Sequence, residues 1–491
     1  MLGRLKDVKK ENFVVRRVCA SRSGFSFRLP NRVTQKYSFV VTYRGTNVFE
    51  IGLPKSCKSL KNITFIPNRR FPMRLLPPLL AALLAAGLCS AAFADTAEVK
   101  TQTVVEVKKK GAHCEQDPNC FNRYHPAIKP VARAKPGDMI VVHTRDALDS
   151  NLNINSKPKD VTAIDVNLIH PMTGPIHIEG AKRGDVLAIK LINITPNEYG
   201  YTTIIPGFGF LPDLYTDPFV ANWKLNSVEA VSEQVPGVRI PMRGFMGSVG
   251  VLPGEPEVDT WLARESQLGA AGGVALPPQP ISARPAEVCG PKGSHKDKCL
   301  RTIPPRENGG NMDVKQMVQG TTLLVPCFID GCGLFIGDVH FAQGDGEVAG
   351  TAIEMGAIVT VQTEIRKGMA SIVKQPMFEG GAQIKALEPD RFHAVVGYPF
   401  KNAGEVPPQW TYLDSEKIKP LTNLSNDVTL AARNSLLAMI EWLQKTKGLT
   451  KEQAFVVTSV ACDLRISNVV DVPNYAVTTI CPMEIFDGAK N

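Results

Sequence analysis

The sequence has no P-loop and no Gly-x-Gly-x-x-Gly fingerprint, so it offers no glycine-rich cradle for nucleotide phosphates or a dinucleotide. No internal repeat marks a solenoid or propeller. No cysteine pair has the Cys-x2-Cys form, which argues against a zinc knuckle. Ser248, within Gly-Ser-Val-Gly, lacks the Gly-x-Ser-x-Gly elbow of a nucleophilic serine. A basic patch is also missing where it would matter. The chain is net +9, yet residues 1–72 hold 16 Lys and Arg against 3 Asp and Glu, and residues 95–491 are net acidic. That balance excludes nucleic acid as a partner of residues 95–491.

The basic excess sits in a segment that reads as a leader ahead of a misplaced start. Residues 73–94 begin Met-Arg-Leu-Leu, continue through an apolar run and end Ala-Phe-Ala. This is the layout of a secretory signal peptide, with cleavage expected before Asp95. A transmembrane helix is disfavoured because the apolar run is short, is broken by Pro77 and Pro78, and ends in small residues. The expectation is a periplasmic or secreted protein, residues 95–491, with no stable membrane anchor after cleavage. An oxidising compartment allows disulfides. Cys114 with Cys120 and Cys289 with Cys299 are local pairs, and Cys462 and Cys481 are placed to bridge two strands. Cys327 and Cys332 either close a turn or stay reduced, and connectivity stays open.

Residues 112–400 read as β-rich and residues 401–491 as α+β. Pro-Gly-Asp at 136–138 and Arg-Gly-Asp at 183–185 are turns feeding strands of β-branched residues. His170 and His177 flank a Pro/Gly turn and, without a paired ligand, read as ordinary turn or strand histidines. Residues 200–260 read as loop-rich, with Pro241-Met-Arg-Gly-Phe-Met-Gly-Ser either lining a small polar pocket or packing as a tight loop. Residues 267–305, rich in Gly, Pro and Ala, read as an excursion or lid. Two apolar runs, 321–326 and 334–336, read as a hairpin turning near Gly331. Further on, Asn426-Asp427 caps a helix to about Lys447, with Leu430, Leu436, Leu437, Ile440 and Leu443 on one face. Thr450-Lys-Glu-Gln is a capping box opening a second helix to about Ala461.

The concentration of chemistry lies between Pro304 and Glu354. Asp338, His340, Asp345 and Glu347 fall close together among glycines, and nothing about burying a core requires them there. Short oxygen and nitrogen donors near one point suit Zn²⁺ or a similar divalent ion. Calcium is an alternative that His340 argues against. The bland reading is a Gly-Asp-Gly-Glu turn whose acceptors cap backbone N–H groups.

Several segments together resemble the acetamidase/formamidase family. They are Pro136-Gly-Asp with Asp146-Ala; His170-Pro-Met-Thr-Gly-Pro-Ile with Glu179-Gly-Ala and Gly184-Asp; and Pro241-Met-x-Gly-Phe-Met-Gly. Glu307-Asn-Gly-Gly-Asn-Met-Asp, Gly337-Asp-Val-His-Phe-Ala-Gln-Gly-Asp-Gly-Glu, Gly350-Thr-Ala-Ile-Glu and Ser459-x-Ala-x-Asp-Leu-Arg-Ile complete the set. The resemblance implies a mainly β fold with jelly-roll-like sandwich parts and a smaller C-terminal α+β part. It implies a homo-oligomeric, metal-assisted hydrolase that cleaves linear C–N bonds of small amides to a carboxylic acid and ammonia. Carried onto matching positions, Asp313, Asp338, His340 and Asp345 become the metal-ligand candidates. Glu347 is the candidate general base, with Glu354 or Asp345 the alternate and Asn311 a polarising partner. Asn308, Met242 and Phe245 are candidates for contacting substrate. The competing reading is an inactive, metal-bearing β-sandwich protein of the cell envelope that binds a ligand without turning it over.

Overall fold

The computed structural model describes residues 24–27, 39–44, 48–52, 63–65, 103–401 and 410–487. The chain divides into two compact units, Met1–Thr101 and Gln102–Asn491. The first contains four antiparallel strands, Gly24–Phe27, Phe39–Arg44, Val48–Gly52 and Ile63–Phe65, paired in consecutive order. The segment read as a signal peptide lies outside the described residues. No helix among the described residues is long and apolar enough to cross a membrane.

The second unit is mainly β, with a sheet of fifteen strands as its frame and an α+β part at its C-terminal end. Six strands carry the argument: β1 (Met172–Ile178), β2 (Val186–Ile204), β3 (Phe245–Val251), β4 (Gly309–Asn311), β5 (Leu334–His340) and β6 (Glu354–Arg366). β2 and β6 pair antiparallel from Val186↔Arg366 to Tyr201↔Glu354 and form the spine. Their inward-facing Leu187, Ile189, Val359 and Val361 are fully buried in one large core. Each such aliphatic side chain removed from water contributes about 1.5–3 kcal/mol.

The two apolar runs expected to form a hairpin do not pair with each other. Thr322–Pro326 adds to β2, whereas β5 pairs with β1, β3 and β6. The corner between them is closed by the Cys327–Cys332 disulfide. The region 200–260 is also more regular than its composition suggests. It holds strands Phe219–Leu225, Glu229–Ser232 and Arg239–Pro241 as well as β3, then helix α1 (Glu255–Ala270). Glycines and prolines obscured the strands, and α1 buries only Val258 and Trp261, too little to leave a helical stripe.

At the C-terminal end, α2 (Val428–Lys447) starts at Asp427, whose side chain accepts from the Leu430 N–H. It ends at Gly448 in the left-handed conformation. α3 (Lys451–Ala461) opens with the expected Thr450–Gln453 capping box. Both helices pack beside a three-stranded sheet of β7 (Phe392–Gly397), β8 (Asp463–Asn468) and β9 (Ala476–Pro482). Disulfides Cys114–Cys120 and Cys289–Cys299 form as the spacing suggests. Cys462 and Cys481 do not bridge. Both stay buried and free, with the Cys481 thiol facing the Pro482 carbonyl at 3.9 Å.

Candidate functional site

Strand β3 brings the two halves of the polar stretch together. On one edge it pairs with β4, placing Ser248 opposite Asn311. On the other it pairs with β5, placing Ser248 opposite Gly337 and Phe245 opposite His340. β5 then pairs with β6, so His340 sits opposite Glu354. Side chains distant in sequence thus converge at one end of the sheet.

Local backbone geometry aims them. Ile336 and Val339, three positions apart, both enter the main core, which strict strand alternation does not allow. Asp338 between them has φ 50°, and this left-handed residue resets the alternation so that Asp338 and His340 leave that core. Asp313 and Glu347 are also left-handed, at φ 50° and 44°. Each such residue costs about 1–3 kcal/mol, a strain that clusters at functional sites. Gly247 on β3 makes room for the histidine. A Cβ there would lie 2.8 Å from His340 Nε2 and 2.6 Å from the Asp338 carbonyl oxygen.

His340 is held in one tautomer. Its Nδ1 lies 2.9 Å from Gln343 Oε1, and Gln343 Nε2 donates to the Asp313 carbonyl at 2.9 Å, which fixes the amide's orientation. Nδ1 therefore carries a hydrogen, and Nε2 faces the carboxylates. Around Nε2 lie Glu354 Oε2 at 3.2 Å, Asp338 Oδ1 at 3.4 Å and Asp313 Oδ1 at 4.0 Å. All four atoms are buried without a hydrogen-bond partner. Glu347 joins Asp313 and His340 with ligand atoms within 4.8 Å of one another, as do Asp338, His340 and Glu354. Two donors each about 2 Å from a tetrahedral zinc are roughly 3.3 Å apart, so the shorter separations here suit a shared cation.

Electrostatics lead to the same demand for positive charge. Burial pushes Asp313 well above the usual carboxylate range, with Glu347 adding to it. Burial, reinforced by Glu354 and Asp338 against the pull of His340, lifts Glu347 to about 8. Burial lifts Glu354 to about 7, with His340 opposing. Asp338 stays below the usual range because His170 and His340 outweigh its burial. Buried carboxylates this close need protons or a cation between them.

The remaining expected residues are placed as follows. The Asn311 side chain faces the site, its Oδ1 2.9 Å from Ser248 Oγ while Nδ2 donates to the Ile303 carbonyl. Ser248 Oγ is also 3.1 Å from Asp338 Oδ2. The Phe245 ring stands edge-on to His340 at 5.0 Å. Met242 is half-buried against the main core. Asn308 is fully buried and donates to the Val251 carbonyl. Asp345 turns away from His340. Its carboxylate faces Gln316 at 3.4 Å and Lys315 at 3.8 Å, in a network that includes Asp463. Glu354, expected as an alternate base, lies nearer His340 Nε2 than any other carboxylate in the cluster. His170, read as an ordinary turn histidine, is instead buried with Nε2 3.8 Å from Asp338 Oδ2. Spacing gave His170 no partner because Asp338 reaches it only through the β1–β5 pairing. Gln343 and Ser248 were likewise invisible as site residues, since each acts through a neighbour.

A sequence model described as the Acetamidase/Formamidase family matches residues 105–488. A formamidase from Methylophilus methylotrophus is 30% identical over 404 residues, covering 79% of this chain and 94% of the relative. An acetamidase from Mycolicibacterium smegmatis is 32% identical over 364 residues, covering 68% and 84%. Among solved structures, a gamma lactamase from Delftia acidovorans superposes with a TM-score of 0.69 at 29% identity, covering 78% of this chain and 93% of that one.

Proposed function

The chain belongs to the acetamidase/formamidase family, and from that membership we propose that it hydrolyses the C–N bond of a small amide with the help of a divalent metal. The products are a carboxylic acid and ammonia. The observation that carries the metal is the convergence of four buried atoms without partners: His340 Nε2, Asp338 Oδ1, Glu354 Oε2 and Asp313 Oδ1. His340, Asp338 and Glu354 would hold the ion, with Asp313 beside them. A nitrogen donor in an otherwise oxygen set favours zinc over calcium.

When bound, such an ion supplies Lewis acidity toward water and toward the amide carbonyl. The rest of the work falls to side chains. Glu347 is the proton carrier, since it lies beside Asp313 and His340 and is not among the three residues that would hold the ion. It takes a proton from the attacking water and returns one to the departing nitrogen, which leaves as ammonia. Ser248 is placed to donate to Asp338 Oδ2 or to Asn311 Oδ1. Gln343 keeps the His340 ring turned toward the carboxylates. The three disulfides among the described residues support export to an oxidising compartment, periplasmic or extracellular. Homo-oligomerisation is part of the same proposal, taken from the family resemblance.

The test is ammonia release from a panel of formamide, acetamide and larger primary amides, with and without a chelator, alongside elemental analysis. Turnover that stops on chelation and returns with a divalent metal supports the reading. A metal-free protein that binds amides without releasing ammonia would instead be an envelope binding protein.

A further inference from the structure

Tyr124 lies in the short strand Arg123–Tyr124, paired with Leu300–Arg301. Its ring is buried, stacked on Phe335 at 4.8 Å and meeting Phe121 edge-on at 6.3 Å. These contacts fix the ring and hence the direction of its hydroxyl. That hydroxyl is buried without a hydrogen-bond partner. Buried phenols ordinarily find one, so an unspent donor in a packed environment calls for an explanation.

Two observations place Oη beside the site. It lies over Gly310, where a Cβ would come within 3.1 Å of it. Gly310 immediately precedes Asn311, the residue joined through Ser248 to Asp338. In addition, after burial itself, the groups acting on the phenol are Arg306, Asp338 and Asp313, two of which are carboxylates of the site. Other donors nearby are committed to the protein. Asn311 Nδ2 serves the Ile303 carbonyl, Gln343 Nε2 serves the Asp313 carbonyl, and Ser248 Oγ serves Asn311 or Asp338. His170 is the exception: its Nε2 faces Asp338 Oδ2 at 3.8 Å and its Nδ1 is buried without a partner.

We propose that Tyr124 is a further catalytic residue whose hydroxyl donates a hydrogen bond to the carbonyl oxygen of the bound amide. That oxygen gains negative charge as water adds to the carbonyl carbon, and a fixed donor waiting for it strengthens most in the transition state. The proton stays on the phenol throughout. Burial keeps the phenol protonated across the neutral range, as a donor requires. Gly310 is what lets the hydroxyl reach over this backbone.

The inference rests on the amidase reading, and Tyr124→Phe tests it apart from that reading. The variant keeps the ring and removes only an atom that bonds to nothing in the protein. We expect kcat to fall about 100-fold, with KM changed by less than about threefold. Metal content should be unchanged, and Tm unchanged or raised, since a buried unpaired donor is removed. A variant with kcat within about twofold of wild type overturns the assignment. So does a loss of activity accompanied by a lower Tm or lost metal, because the hydroxyl would then serve the fold or the ion. Absence of turnover by the wild type, measured alongside, would overturn the amidase reading and this assignment together.

Discussion

His340 Nδ1 and Gln343 Oε1 stand 2.9 Å apart, and the same amide reaches on to the Asp313 carbonyl at 2.9 Å. One glutamine thereby sets which histidine nitrogen faces the carboxylates and pins the backbone carrying Asp313. Groups that orient a metal-ligating histidine in this way are commonly worth 10–100-fold in affinity or activity, by the ~1–3 kcal/mol their loss costs.

Gln343→Leu should therefore keep the fold and lose roughly 10–100-fold in metal affinity. Competition with a calibrated chelator measures it. Affinity within a factor of about two of wild type would mean that packing alone orients the ring.

His340→Ala and Asp338→Ala each remove a donor from the centre of the cluster. Both should lose bound metal by elemental analysis and lower kcat/KM by about 1,000-fold or more, since a Lewis acid supplies several kcal/mol. Either variant with full activity would remove that residue from the site. Asp345→Asn should be milder, because Asp345 faces Lys315 and Gln316 rather than His340.

Lys315 and Asp463 form a buried ion pair, both nearly inaccessible to solvent. Lys315→Met leaves the Asp463 carboxylate buried beside Asp345 with the Arg465 guanidinium, 3.0 Å from Oδ2, as its remaining cation. A loss of about 1.5–3 kcal/mol in urea denaturation is expected. A cost below about 1 kcal/mol would show that the two aspartates find protons or water instead.

His125 gives a pH dependence independent of the cluster around His340. Its side chain is buried, and burial pushes its pKa down to about 4. Above about pH 6.5 folded and unfolded forms are both neutral. As pH falls, the unfolded chain takes up a proton that the folded one refuses, so stability declines from about pH 6.5 to about pH 4. His125→Gln should flatten that part of the stability–pH curve relative to wild type. Parallel curves for the two proteins would contradict the assignment.

Much of the site was legible before folding because Asp338, His340 and Glu347 are neighbours in sequence among glycines that packing does not demand. The path by which Asn311 meets Asp338 was not legible. It runs through β3, a glycine-rich strand that reads as a loop. That Asp345 faces away from His340 while Glu354 faces it was hidden for a similar reason. A turn residue's direction depends on what lies opposite it, and Lys315 and Asp463 reach Asp345 only through tertiary packing. The two C-terminal helices, by contrast, announced themselves through caps and a 3.6-residue apolar period. Local signals sufficed where structure is local.

The last turn of α3 and the first residue of β8 grip the loop that bears Glu347. Ser459 accepts from the Gly344 N–H and its hydroxyl accepts from the Ala349 N–H, while Asp463 takes the Asp345 N–H. A nascent chain therefore owns Asp338, His340 and Glu354 more than a hundred positions before it owns the clamp that steadies Glu347. Proteolytic trimming from Ser459 onward would leave Asp338, His340 and Glu354 present and the loop of Glu347 without this clamp. On the proposed division of labour, such a remnant would still hold the ion but no longer complete turnover.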